Sequence, residues 1–215
     1  MNMRKIPFIF AAIMTVVTVL FLCSCGVSGM KNVSERRSGY FTATADGCTV
    51  TAVSGVREDP YALDGATNEL VPYTLITLVP SSFDVDAVYT YVAVVDGSTF
   101  GGTLVVHPFA ASFSAEFEHE AIGEFTVSIE RNGTKTDYAL SSLVTADMID
   151  YSSAISAAEN EFRDLSGQYE IRARIIKNPI DGSGVCWHVA FITAEGQCGV
   201  LLDPVTARVI AKKAN

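Results

Sequence analysis

Residues 124–140 read EFTVSIERNGTKTDYAL. Phe125, Val127 and Ile129 alternate with Glu124, Thr126, Ser128 and Glu130. At a period of two residues, one face of an extended strand is apolar and the other wet. Asn132-Gly133 supplies the positive φ that a two-residue hairpin turn requires, so Lys135 to Leu140 reads as the returning strand. The same signal runs upstream to Tyr40. Cys48 to Val53 is rich in Thr and Val, Tyr73 to Val79 is a short apolar run, and Asp86 to Val95 is dense in Val and Tyr. Val95-Asp96-Gly97-Ser98 marks a second hairpin turn, Thr99 to His107 its return, and Gly101-Gly102 an expected bulge. Roughly seven or eight short strands without a helical period predict an antiparallel β-sandwich of immunoglobulin-like size over residues 39–143, with a barrel as the alternative.

Beyond Leu143 the period changes. Met148, Tyr151, Ile155, Ala158, Phe162 and Leu165 are spaced three and four apart, which puts them on one stripe of a helix. Thr145 is its expected N-cap and Gly167 its expected C′ residue. Strands resume at Tyr169 to Ile175, Val185 to Thr193, Cys198 to Asp203 and Arg208 to Ala211. A helix followed by such a meander buries its stripe on one sheet face, predicting a small α+β unit over 144–215. The fold class is therefore mainly β with α+β: a sandwich, then a helix on an antiparallel sheet.

Trp187-His188-Val189, Val200-Leu201-Leu202-Asp203, Thr206, Ala207 and Val209, together with the helix, resemble a PepSY domain. Ala207 stands where that family usually has Gly, suggesting a turn without positive φ at that position. The resemblance implies a binding or regulatory role, including peptidase inhibition, with no catalytic set. Independently of it, Asp203 and Thr206 suit a hydrogen-bonded turn, and Trp187 and Val189 suit the core beneath the helix. Trp187, His188, Asp203 and Thr206 are thus candidate binding or structural residues.

At the other end, Arg4 and Lys5 precede an uncharged apolar run from Ile6 to Leu22, the layout of a secretory leader. Its 17 residues also reach the lower limit of about 17–25 for a single membrane span. Leu22, Ser24 and Cys25 resemble the bacterial lipobox, with Cys25 as the lipidated residue; Cys23 fits less well because it places bulky Leu22 before the cut. The resemblance implies that residues 1–24 are removed and that a diacylglyceryl cysteine, N-acylated with a fatty acid such as palmitate, holds the protein on the extracytoplasmic side of the cell membrane. Two or more chains anchor firmly where one does not. Residues 25–38, with no periodicity, are expected to be a tether.

The chain has 15 basic and 24 acidic residues, and losing Arg4 and Lys5 moves its net charge from −9 by two units, to −11. Such a balance argues against nucleic acid. Of five cysteines, Cys48, Cys186 and Cys198 remain once the leader and Cys25 are set aside, an odd count. Free thiols are expected, with a Cys186–Cys198 bridge as the alternative. A two-residue turn at Glu195-Gly196 would set Cys186 opposite Val205.

Reactive patterns are sparse. Glu118-His119-Glu120 suggests a metal, but on a strand His119 points away from both carboxylates, so an exposed strand end or loop is the expected setting. Cys186 and His188 share a strand face without a third group. Glu58-Asp59 and Asp84-x-Asp86 read as solvated turns, too sparse for a calcium cage. No catalytic or metal-binding set and no cofactor is expected. The sequence predicts a lipid-anchored binding or regulatory protein of the cell envelope with a protein or peptide partner. The alternatives are an envelope enzyme or metal-dependent protein using Cys186/His188 or His119, and a small-ligand carrier for a transporter.

Overall fold

The computed structural model describes residues 32–64, 68–165 and 167–214. Twelve strands and one helix follow in order: β1 (Val33–Ala45), β2 (Cys48–Glu58), β3 (Leu70–Val79), β4 (Tyr89–Val95), β5 (Ser98–Val106), β6 (Phe113–Phe117), β7 (Phe125–Arg131), β8 (Thr134–Ser142), α1 (Tyr151–Glu161), β9 (Glu170–Lys177), β10 (Val185–Thr193), β11 (Gly196–Leu202) and β12 (Val209–Lys213). Strands β1-β2-β3-β6-β5-β4-β7-β8 lie side by side in that order, and β8 returns to β1 through Phe41↔Ser142 and Thr42↔Ser141. Eight strands therefore close into a barrel. Strands β9 to β12 continue the sheet outward, because β9 pairs in parallel with the first half of β1.

The expected sandwich is thus corrected to a barrel with outer strands. Alternating strands suit both architectures, and the difference lies in one strand that serves twice. Glu35, Arg36 and Arg37 pair with β9, and Phe41 and Thr42 pair with β8. Between these halves the register against β2 slips at Arg37/Gly39. A bulge of this kind bends a strand and increases its twist. Gly55, opposite the bend, permits it: a Cβ there would stand 2.1 Å from the Arg36 carbonyl oxygen and 2.7 Å from Arg37 Cα. The expected tether is corrected too, since residues 33–38 form the first half of β1; Cys25 and the leader lie outside the described residues.

Two apolar clusters fill this framework. Phe41, Val50, Ile76, Leu78, Tyr91, Val127 and Leu140, among others, pack inside the barrel. Ala154, Ile155 and Ala158 of α1 pack with Ile171, Ile175, Trp187, Val189, Val200 and Leu202 of the outer strands, joined by Val33 of β1. Both clusters lie within residues 32–215, which form one compact unit carrying its own core. The sheet runs unbroken past the expected division between residues 143 and 144, so the PepSY-like module, a self-standing helix on its own sheet, is corrected as well. The helix is shorter than its stripe: Asp150 is the N-cap in place of Thr145, accepting from the Ser153 amide, and the helix ends at Glu161. Met148, Phe162 and Leu165 reach the same core from the flanking turns.

Tight turns set the hairpins. Asp96-Gly97 and Asn132-Gly133 both take positive φ, as does Asp46-Gly47 between β1 and β2. Gly101 and Gly102 make no bulge, since they pair in unbroken register with Val92 and Tyr91. What they provide is room: a Cβ on Gly102 would rest 3.4 Å from the Tyr91 ring.

Candidate functional site

Cross-strand registry builds a row on the face of the outer strands that points away from α1. Arg37 on β1 pairs with Arg174 on β9, Arg174 with His188 on β10, His188 with Leu201 on β11, and Leu201 with Ala211 on β12. Directly paired residues share a face, so the row passes from guanidinium through imidazole to aliphatic side chains.

Glu35 anchors the charged end. Its buried carboxylate accepts from Tyr73 Oη at 2.7 Å, from Arg37 Nη2 at 3.3 Å and from Arg174 Nη2. Arg37 Nε also donates to Tyr73 Oη at 3.0 Å. Burial pushes the Glu35 pKa up, yet the hydrogen bond and charge of Arg174, with Tyr73 and Arg37, outweigh it and hold the carboxyl below its ordinary value. Tyr73 is pushed up to about 12, chiefly by burial. Arg57 covers its ring at 4.7 Å and is itself held by both oxygens of Glu116 at 2.6 and 2.9 Å. Two guanidinium groups thus share one carboxylate, and Arg174 Nε is buried without an acceptor.

Beside this junction lies a groove of about 330 Å³ whose lining includes Ile176, His188, Gly199, Leu201, Ala211 and Lys213. Gly199 keeps it open: a Cβ there would stand 3.4 Å from His188 Nε2 and 2.9 Å from the Val189 carbonyl oxygen. Burial, then the charges of Arg174 and Arg37, lower the His188 pKa, so its ring is neutral at pH 7. One ring nitrogen then donates and the other accepts.

The other sequence candidates are scattered. Trp187 is buried on the helix side, where Nε1 donates to the Ile149 carbonyl at 3.0 Å. Asp203 accepts from the Val205 and Thr206 amides and from Thr206 Oγ1 at 2.8 Å, and the Thr206 bonds hold its pKa below the ordinary value. Ala207 in that turn has φ +58°, correcting the expectation of a turn without positive φ. Cys48, Cys186 and Cys198 are free thiols. Pairing of Thr193 with Gly196 puts the turn at Ala194-Glu195, one residue earlier than expected, so Cys198 faces Phe191 while Cys186 faces Ile176. Burial, with Asp181 nearby, raises the Cys186 thiol to about 11, which leaves almost no thiolate at neutral pH.

The acidic-histidine triplet diverges. His119 Nε2 meets Asp96 Oδ2 at 3.1 Å, whereas Glu120 faces Arg36 at 3.8 Å and accepts from Ser38. Among the described residues no three His, Cys, Asp or Glu side chains converge as metal ligands. Glu58 is no solvated turn residue: it is buried and accepts from the Asn68 amide at 3.0 Å. Of the junction, Arg174 lies in the strand expected over Tyr169 to Ile175. Glu35 and Arg37 were missed, because three consecutive charged residues at positions 35–37 read as tether. No protein-family model, curated protein or solved structure matches this chain.

Proposed function

We propose that this is a lipid-anchored, extracytoplasmic binding protein without catalytic machinery, recognising a protein or peptide partner at the cell envelope through the outer surface of its sheet. One observation carries the binding reading: the barrel interior is occupied by its own side chains, with Phe41, Val50, Ile76, Leu78 and Leu140 all at 1 % exposure or less. A lumen so filled leaves recognition to the outside. The reactive side chains that drew attention are absorbed locally, Cys186 by burial, His119 by Asp96 and Asp203 by its turn. The anchor rests on the lipobox-like residues before and at Cys25. No helix among the described residues is long and apolar enough to cross a membrane.

β1 begins at Val33, so Gly26 to Asn32 are the only link between a lipidated Cys25 and the sheet. Seven residues reach at most roughly 25 Å whatever their conformation, at about 3.3–3.6 Å each. The body therefore works close to the bilayer. The test is expression of the full chain in a bacterium fed an alkyne-labelled fatty acid. The wild type is expected to carry the label and sediment with membranes, and Cys25→Ala to lose the label. A label retained in Cys25→Ala refutes the anchor. Turnover of peptides, esters or glycans by the purified body, abolished by Cys186→Ala or His188→Ala without loss of melting temperature, refutes the non-catalytic reading.

A further inference from the structure

We propose that the groove beside β12 is a binding site for a small amphipathic carboxylate, its apolar body lying over Leu201 and Ala211 and its anionic end directed toward His188 and Lys213, with the Arg174 charge behind His188. The cross-strand row supplies both halves of that chemistry in the right order. Leu201, Ala211 and Ile176 offer aliphatic lining, and Gly199 provides the depth, with no side chain between the lining and the His188 ring. The volume of about 330 Å³ falls at the lower end of the range for small-molecule sites, roughly 300–1,000 Å³.

The charged end asks for an anion. Arg37 and Arg174 share the Glu35 carboxylate, so two guanidinium charges face one carboxylate behind His188, while His188 and Lys213 stand in the groove itself. His188 forms no hydrogen bond among the described residues, so its neutral ring still has an N–H to donate. Lys213, paired with Gly199 across the β11–β12 ladder, adds a cation at the rim. On a chain of net charge −9 this local surplus of cations stands out from the surrounding surface and selects for negative ligands. A neutral alcohol of equal length fills the same apolar lining but leaves the Lys213 charge unanswered, and a cationic amphiphile is repelled.

The site does not depend on the anchor or on a protein partner, so its test uses residues 32–215, which carry their own core. Titration calorimetry is run with decanoate, decanol and decyltrimethylammonium, all below their aggregation thresholds. Decanoate is expected to bind at one site per chain, at least tenfold more tightly than decanol, with no binding of the ammonium compound. Ala211→Phe fills the groove and is expected to weaken decanoate at least tenfold. Lys213→Glu, at an exposed position that the fold does not need, and His188→Gln are each expected to weaken it several-fold, with melting temperatures within a few degrees of wild type. Absence of saturable decanoate binding up to millimolar concentration, equal affinity for decanol, or unchanged affinity in both Lys213→Glu and His188→Gln overturns the proposal.

Discussion

Glu35→Gln is the most informative single change in this structure. The carboxylate side chain is 7 % exposed, and it holds Arg37 and Arg174, which are 20 % and 27 % exposed. An amide in its place keeps the shape, removes the charge and turns one oxygen into an N–H₂ that faces a guanidinium. Breaking a buried ion pair from one side costs about 3–5 kcal/mol, because the partner's charge stays behind. Both arginines retain some contact with water, so the lower end applies, roughly 3 kcal/mol. For a unit of this size that is a fall of about 6–12 °C in melting temperature.

The pH dependence gives a second reading of the same residue. Because the folded Glu35 pKa lies below its ordinary value of 4.5, its contribution to stability is fully present above about pH 4.5 and is lost as the pH falls through the depressed folded value. Urea unfolding followed by circular dichroism, at pH 7 and in steps down to pH 3, is the assay. The difference between wild type and Glu35→Gln should be near 3 kcal/mol at neutral pH and should shrink as acid protonates the wild-type carboxyl. A difference below about 0.5 kcal/mol at pH 7, typical of a surface substitution, would refute the view that this cluster joins the outer strands to the barrel.

Two further predictions concern local geometry. Ala207 sits at φ +58°, where a Cβ is unfavourable by about 1–2 kcal/mol, so Ala207→Gly should raise stability by up to about 1 kcal/mol once glycine's greater unfolded-state freedom is subtracted. Denaturant midpoints measure it, and a loss of stability would contradict the assigned backbone. Cys186 and Cys198 are buried with raised thiol pKa values, so Ellman's reagent at pH 7.5 should modify neither in the folded protein and both in 6 M guanidinium. Rapid modification of either before unfolding would show that its side of the sheet opens.

Strand existence was legible because period-two alternation and Asp-Gly or Asn-Gly turns are local signals. Phe125 to Arg131 and its partner strand are found where the residues place them. Closure was not legible, because it depends on which strands meet across the chain. Phe41 against Ser142 is a contact between residues a hundred positions apart, and alternation is the same in a sandwich and a barrel. The first half of β1 was hidden for a related reason. Glu35 and Arg37 face Arg174 and Tyr73, and Arg36 on the other face lies over the Tyr151 ring and beside Glu120, so a strand with partly buried polar faces has the composition of a solvated linker. Ala207 misled in the opposite direction, as the Asp203–Thr206 hydrogen bonds hold the turn in a conformation that alanine disfavours. Of the candidate site, His188 was visible as the outward neighbour of Trp187, but the groove exists only through the packing of β12 against β11.

The central structural claim is that one strand, β1, belongs to both the barrel and the outer sheet, so that the two form a single cooperative unit. Native-state hydrogen exchange tests it residue by residue. The amides that pair β1 with β9, around Arg36 and Arg174, should exchange only through global unfolding, with the same free energy as those of Val50 and Ile76 inside the barrel. Exchange of Glu35 to Arg37 at the rate of an unstructured tail, or release of β9 to β12 and α1 as a separate, less stable unit, would contradict it.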